Sequence, residues 1–126
     1  MAKTVVATNK APGAIGPYSQ GIKANGFVFV SGQLGMLPET GEFAAGGVAG
    51  QTRQSLTNVK HILEAAGSGL EKVVKVTVFL KDIKDFAAMN TVYSDFFKAD
   101  CPARSAVQAA ALPKDGLVEI EVIAEV

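Results

Sequence analysis

Between residues 51 and 66 the apolar side chains Leu56, Val59, Ile62, Leu63 and Ala66 recur every three or four positions. That spacing places them on one face of an α-helix, and Gly67 supplies the residue that ends it. Residues 117–126 follow a different rule: Val118, Ile120, Val122, Ala124 and Val126 alternate with Glu119, Glu121 and Glu125. A period of two predicts a strand with one apolar and one acidic face. Residues 72–80 (KVVKVTVFL) are valine-rich with Lys75 and Thr77 on one face only, which predicts a mostly buried strand. Asn25-Gly26 separates two further strand-like stretches, residues 18–24 and 27–31. A type I′ turn needs positive φ at both central residues, and this dipeptide tolerates it best, so a hairpin is expected there.

Weaker signals complete the order. Residues 4–8 are short and β-branched and predict a first strand, while residues 9–17 (NKAPGAIGP) read as a structured loop. The glycine-rich stretch 32–50, with Pro38 inside it, predicts a long irregular connection. Asp85 is placed to cap a second helix in which Phe86, Met89, Tyr93, Phe96 and Phe97 share a face, and Pro102 ends that region. Residues 105–111 predict a strand and residues 112–116 (LPKDG) a turn. The expected fold is α+β in the order β-β-β-α-β-α-β-β, with two helices against a sheet and residues 1–126 forming one domain. Two helices cover one sheet face. Phe27, Phe29 and the 73–80 run then need another subunit to cover them.

Composition narrows the function. With 48% hydrophobic residues the chain buries a core, which excludes intrinsic disorder. Twelve basic and twelve acidic residues give a formal net charge of zero, which argues against nucleic acid as a partner. A single cysteine, Cys101, excludes an intrachain disulfide and a multi-cysteine zinc site, and a single histidine, His61, excludes a histidine-rich metal centre. No apolar run approaches the roughly 20 residues of a membrane-spanning helix, so no membrane partner is expected. The N-terminus lacks a secretory apolar segment. The expected location is the cytoplasm, or the matrix of a chloroplast or mitochondrion if a transit peptide has been removed.

The candidate chemistry lies in a few polar residues. His61 sits within the first helix with no serine or aspartate tied to it by spacing, and reads as an ordinary helical histidine. Cys101 precedes Pro102 in a loop without a visible electropositive setting. The glycines of 41–50 lack the Lys-Ser/Thr of a phosphate-binding loop. Arg104 differs: it follows Pro102-Ala103 at the mouth of a strand, where a rigid backbone aims the guanidinium, and that planar fork binds a carboxylate through two parallel hydrogen bonds. Glu119 interrupts an apolar strand and fits either a structural acid paired with Arg104 or a carboxylate that orients water. Tyr18, Ser31 and Asn90 are polar residues at element edges.

The stretches Gly16-Pro17-Tyr18-Ser19-Gln20, Val30-Ser31-Gly32-Gln33, residues 90–97 (NTVYSDFF) and residues 102–121 (PARSAVQAAALPKDGLVEIE) together resemble the Rid family of reactive intermediate deaminases, also called the YjgF family. The resemblance runs from about residue 9 to the C-terminus. It implies a chorismate-mutase-like fold with a mixed sheet, assembled as a homotrimer around a central barrel, with a cleft at each subunit interface. It also implies hydrolysis of 2-iminopropanoate and 2-iminobutanoate, released by pyridoxal-phosphate enzymes, to 2-oxo acids and ammonia, without a metal or organic cofactor. By the same resemblance Arg104 binds the substrate carboxylate and Glu119 positions the attacking water. Tyr18, Ser31, Gly32 and Asn90 line the cleft, Tyr18 from the neighbouring subunit. Many members carry a cysteine where this chain has Ala106, whose backbone alone is left to contact a ligand. Two other readings compete. A trimeric binder of 2-oxo acids needs only Arg104 and not Glu119, and a ribonuclease or translation inhibitor is opposed by the zero net charge.

Overall fold

The structure is a computed structural model, and it describes residues 2–126. A six-stranded mixed sheet runs in the order β1-β2-β3-β6-β4-β5. Its strands are β1 (Thr4–Val6), β2 (Gly21–Ala24), β3 (Phe27–Leu34), β4 (Val73–Leu80), β5 (Ala103–Gln108) and β6 (Val118–Glu125). Neighbours pair antiparallel except β4 and β5, which run parallel. Two helices, α1 (Gly47–Ala65) and α2 (Phe86–Phe96), complete the expected order.

The period-two pattern of β6 sets its burial. Val118, Ile120, Val122 and Ala124 are buried under the helices, whereas Glu119 and Ile123 are half-buried and Glu121 and Glu125 exposed. Leu56, Val59, Ile62 and Leu63 of α1 are fully buried against Val28 of β3 and Val76 and Val78 of β4. Met89, Tyr93 and Phe97 extend this core beneath α2. Asn25 and Gly26 both adopt positive φ, at 53° and 83°, in the hairpin between β2 and β3. The opposite sheet face has no helix, and Phe27, Phe29 and Val107 are exposed to solvent on the single chain.

Several boundaries differ from the sequence expectation. The second strand starts at Gly21 rather than at residue 18, because Gln20 turns inward and uses its amide to bond Thr8, Ala11 and Pro12. The third continues through Gly32 to Leu34, with a register shift between Val30 and Gln33. The first helix begins four residues before residue 51, at Gly47, so the irregular connection is shorter than the glycines suggest. Asp85 does not cap α2 with its side chain; Asp82 instead accepts from the Lys84 N–H at 2.9 Å and starts a 3-10 turn that feeds the helix. Strand β5 spans Ala103–Gln108 rather than residues 105–111, because it zips in register along β4 from Lys75↔Ala103 to Leu80↔Gln108.

Candidate active site

Four of the expected site residues share one cleft of about 660 Å³: Tyr18, Ser31, Gly32 and Glu119. The irregularity between Val30 and Gln33 shapes its floor, since the strand bends there and turns Ser31 and Gly32 out of regular pairing with β6. Ser31 is fixed at both ends, its hydroxyl donating to the Ser19 carbonyl at 2.6 Å and its N–H to the Gln20 carbonyl at 2.9 Å. Gly32 is required by a close approach: a Cβ there would lie 2.7 Å from Glu119 Oε2, so any larger residue would displace the carboxylate. Burial pushes the Glu119 carboxyl above its ordinary value, and the neighbouring charge of Glu121 pushes it further the same way. Lys114 and Glu121 also line the cleft, with Ile15 and Met36 forming part of an apolar wall.

The other three residues lie elsewhere on the chain. Arg104 Nη1 donates to Asn90 Oδ1 at 2.7 Å, and its Cζ lies 4.6 Å from the ring centroid of Tyr93 and 5.4 Å from that of Phe86. All three partners belong to α2, which places Arg104 on the helix side of the sheet. Ala106 follows two residues later on the same side and packs against the core. Glu119 stands between buried Val118 and Ile120 and therefore points to the opposite, uncovered side. The register agrees, since Arg104 aligns with Val76 and Val122, and Glu119 with Phe79. Within one chain, Glu119 is thus not the structural acid of Arg104. The ion pairs found among the described residues are Arg53–Asp95 and Lys81–Asp115, so among those residues the Arg104 cation has no acidic partner. Tyr18, expected as a neighbour's contribution, sits in the same cleft as Glu119.

Other candidates settle differently. His61 is half-buried and its Nδ1 lies 2.9 Å from the Lys10 carbonyl, an ordinary helical histidine. Cys101 is exposed, with its Sγ 3.5 Å from the Phe97 carbonyl. Among the described residues no group of three or more His, Cys, Asp or Glu side chains is arranged to hold a metal ion, and no helix is long and apolar enough to cross a membrane. A second cleft of about 660 Å³, beside β1 and residues 7–20, shares Tyr18 but presents no charged side chain. Sequence reasoning missed Phe86 and Tyr93 as partners of Arg104 and counted them only as core. It also passed over Gln51, Ser55 and Asn58, whose four- and three-residue spacing on a buried helix face is a readable signal of a polar stripe.

Residues 8–126 match the family described as Endoribonuclease L-PSP. A RutC family protein of Pyrococcus abyssi is 56% identical over 124 residues, which cover 98% of either chain. A protein of Capra hircus named 2-iminobutanoate/2-iminopropanoate deaminase is 51% identical over 98% of this chain and 90% of its own. The crystal structure of TdcF of E. coli with bound serine superposes with a TM-score of 0.93, at 49% identity, over 98% of each chain. The chain therefore belongs to the Endoribonuclease L-PSP family, the Rid family that its sequence resembles.

Proposed function

We propose that this protein is an imine deaminase that hydrolyses 2-iminopropanoate and 2-iminobutanoate to the corresponding 2-oxo acids and ammonia. The observation that carries this reading is Arg104: a half-buried guanidinium, held by Asn90 and two aromatic rings, that pairs with no acid among the described residues. Such a group is suited to the carboxylate of a small acid. The name of the goat relative and the bound amino acid of the E. coli relative fit the same ligand chemistry. The two groups of residues lie on opposite sheet faces, so the cleft closes when the β5 edge of one copy meets the Tyr18–Ser31–Gly32–Glu119 wall of the next. A homotrimer with its uncovered faces turned inward accomplishes this and buries Phe27, Phe29 and Val107.

In that cleft Arg104 orients the substrate by its carboxylate and presents C2 to a water held by Glu119. The ionised Glu119 takes a proton as the water oxygen bonds to C2. The C=N π electrons move to nitrogen, which takes that proton back from Glu119 to give a carbinolamine. Glu119 then carries the carbinolamine hydroxyl proton to the amine, and the C–N bond breaks to release ammonia as the C2–O bond becomes the carbonyl of the 2-oxo acid. The raised carboxyl of Glu119 makes it a better base than an exposed glutamate. A ribonuclease finds no support in the cleft, which contains no histidine and two acids.

A threonine dehydratase feeding 2-iminobutanoate in the presence of semicarbazide tests the reading, because semicarbazide traps free imine. Wild-type protein is expected to lower trapping, and Arg104→Ala to lose about a hundredfold or more of that activity through two charge-assisted hydrogen bonds. Trapping unaffected by the folded wild-type protein would sink the deaminase reading and leave a 2-oxo acid binder.

A further inference from the structure

Arg104 needs more than a strand to aim it. Its stem is long and flexible, and forked recognition requires guanidinium and carboxylate to lie in one plane. Phe86, Asn90 and Tyr93 follow one another at spacings of four and three residues, so α2 presents all three to Arg104 from a single face. Asn90 accepts one N–H and fixes one corner of the fork. The rings of Tyr93 and Phe86, 4.6 Å and 5.4 Å from Cζ, lie near enough to stabilise the cation through their π-faces.

We propose that Tyr93 and Phe86 are positioning residues that set the plane of the Arg104 guanidinium and hold its charge while leaving its outer N–H donors unoccupied. The inference rests on the reading of Arg104 as the carboxylate-binding group. An aspartate or glutamate in place of either ring would also stabilise the cation, but it would take up the donors a substrate carboxylate needs. Aromatic rings interact with the charge and leave donors free. Tyr93 is buried in the core with its ring beside the Arg104 guanidinium, so the ring is held in place against the cation.

The test is calorimetric titration of the full-length protein with 2-oxobutanoate, and with 2-oxobutanamide as a ligand of similar shape without the charge. Tyr93→Leu is expected to weaken 2-oxobutanoate binding about tenfold and to change 2-oxobutanamide binding by less than about twofold, while Tyr93→Phe, which keeps the ring, rescues the acid. A merely structural role would weaken both ligands together. If Tyr93→Leu fails to fold, Phe86→Leu, at a less buried position, carries the same expectation. Arg104→Ala run alongside separates two failures. Should Arg104→Ala leave 2-oxobutanoate affinity unchanged, the carboxylate role of Arg104 falls and the inference with it. Should Arg104→Ala weaken binding while the folded leucine variants do not, or weaken both ligands equally, only the positioning role of the rings is overturned.

Discussion

Glu119 has an apolar neighbour on either side in sequence, Gly32 against its carboxylate, and Glu121 close by on the same strand face. Burial is the larger reason its carboxyl holds a proton above the ordinary value of 4.5, and repulsion from Glu121 is the second. A base must be ionised to work. Imine hydrolysis should therefore rise with pH through an acid limb that lies above the ordinary glutamate range. Glu121→Gln removes the second cause and should move that limb to lower pH; an unmoved limb would assign it to another group. Glu119→Gln should remove the limb and lower turnover by about a hundredfold or more. The stability sign is opposite. A carboxyl raised in the folded state is penalised when ionised, so Glu119→Gln should unfold at a higher temperature than wild type at pH 7, with the gap closing as pH falls through the folded value. A lower melting temperature at pH 7 would show that the ionised carboxylate is stabilised by contacts not accounted for. The acid was legible in the sequence because it breaks a run of apolar residues. Its separation from Arg104 was not, because alternation along one strand fixes faces only relative to that strand. The register of β5 on β4 and β4 on β6 decides the rest.

Two elements, α1 and the bent part of β3, hold the cleft in shape. Ser55 donates to the Gln33 carbonyl at 2.6 Å, and Asn58 donates to the carbonyls of Leu34 and Met36 at 3.3 and 2.9 Å. Gln51 accepts from the Leu117 N–H at 2.9 Å, next to the start of β6. These bonds satisfy backbone groups that the departure from regular pairing would otherwise leave buried and unpaired. Gly35 lies so close to the Gln51 backbone that no side chain fits between them. Asn58→Leu orphans two carbonyls and should lower the unfolding free energy by about 2–3 kcal/mol in urea titration. A loss below about 0.5 kcal/mol would mean that water or a rearranged turn replaces the amide. The apolar stripe of α1 announced the helix, yet its glycine-rich first turn hid where it begins, since Gly46 and Gly47 at φ 106° and 64° lead directly into it. The capping expectation at Asp85 failed for a related reason. A 3-10 turn over Ile83–Asp85 moves the capping position upstream to Asp82, and nothing in residue periodicity distinguishes the two acids.

On the scale of the whole molecule, the sheet face opposite the helices carries Phe27, Phe29 and Val107 in the open, and β5 leaves an edge that pairs with β4 alone. A chain with no net charge has little long-range repulsion to oppose burying that face against copies of itself. The sequence pointed to the uncovered face by having two helices for a six-strand order. It could not say that the candidate residues divide between faces, with Arg104, Asn90 and Ala106 on one and Tyr18, Ser31, Gly32 and Glu119 on the other. In the proposed assembly each cleft is built from two copies, and mixing two inactive variants tests that arrangement. Arg104→Ala and Glu119→Gln proteins, each inactive alone, are refolded together in equal amounts and assayed for imine hydrolysis. If every cleft takes Arg104 from one copy and Glu119 from the next, random assembly restores roughly a quarter of wild-type activity, because one cleft in about four receives both native residues. If mixed assemblies form and activity stays at the level of the separate variants, each cleft draws both residues from one chain, and the shared site is contradicted.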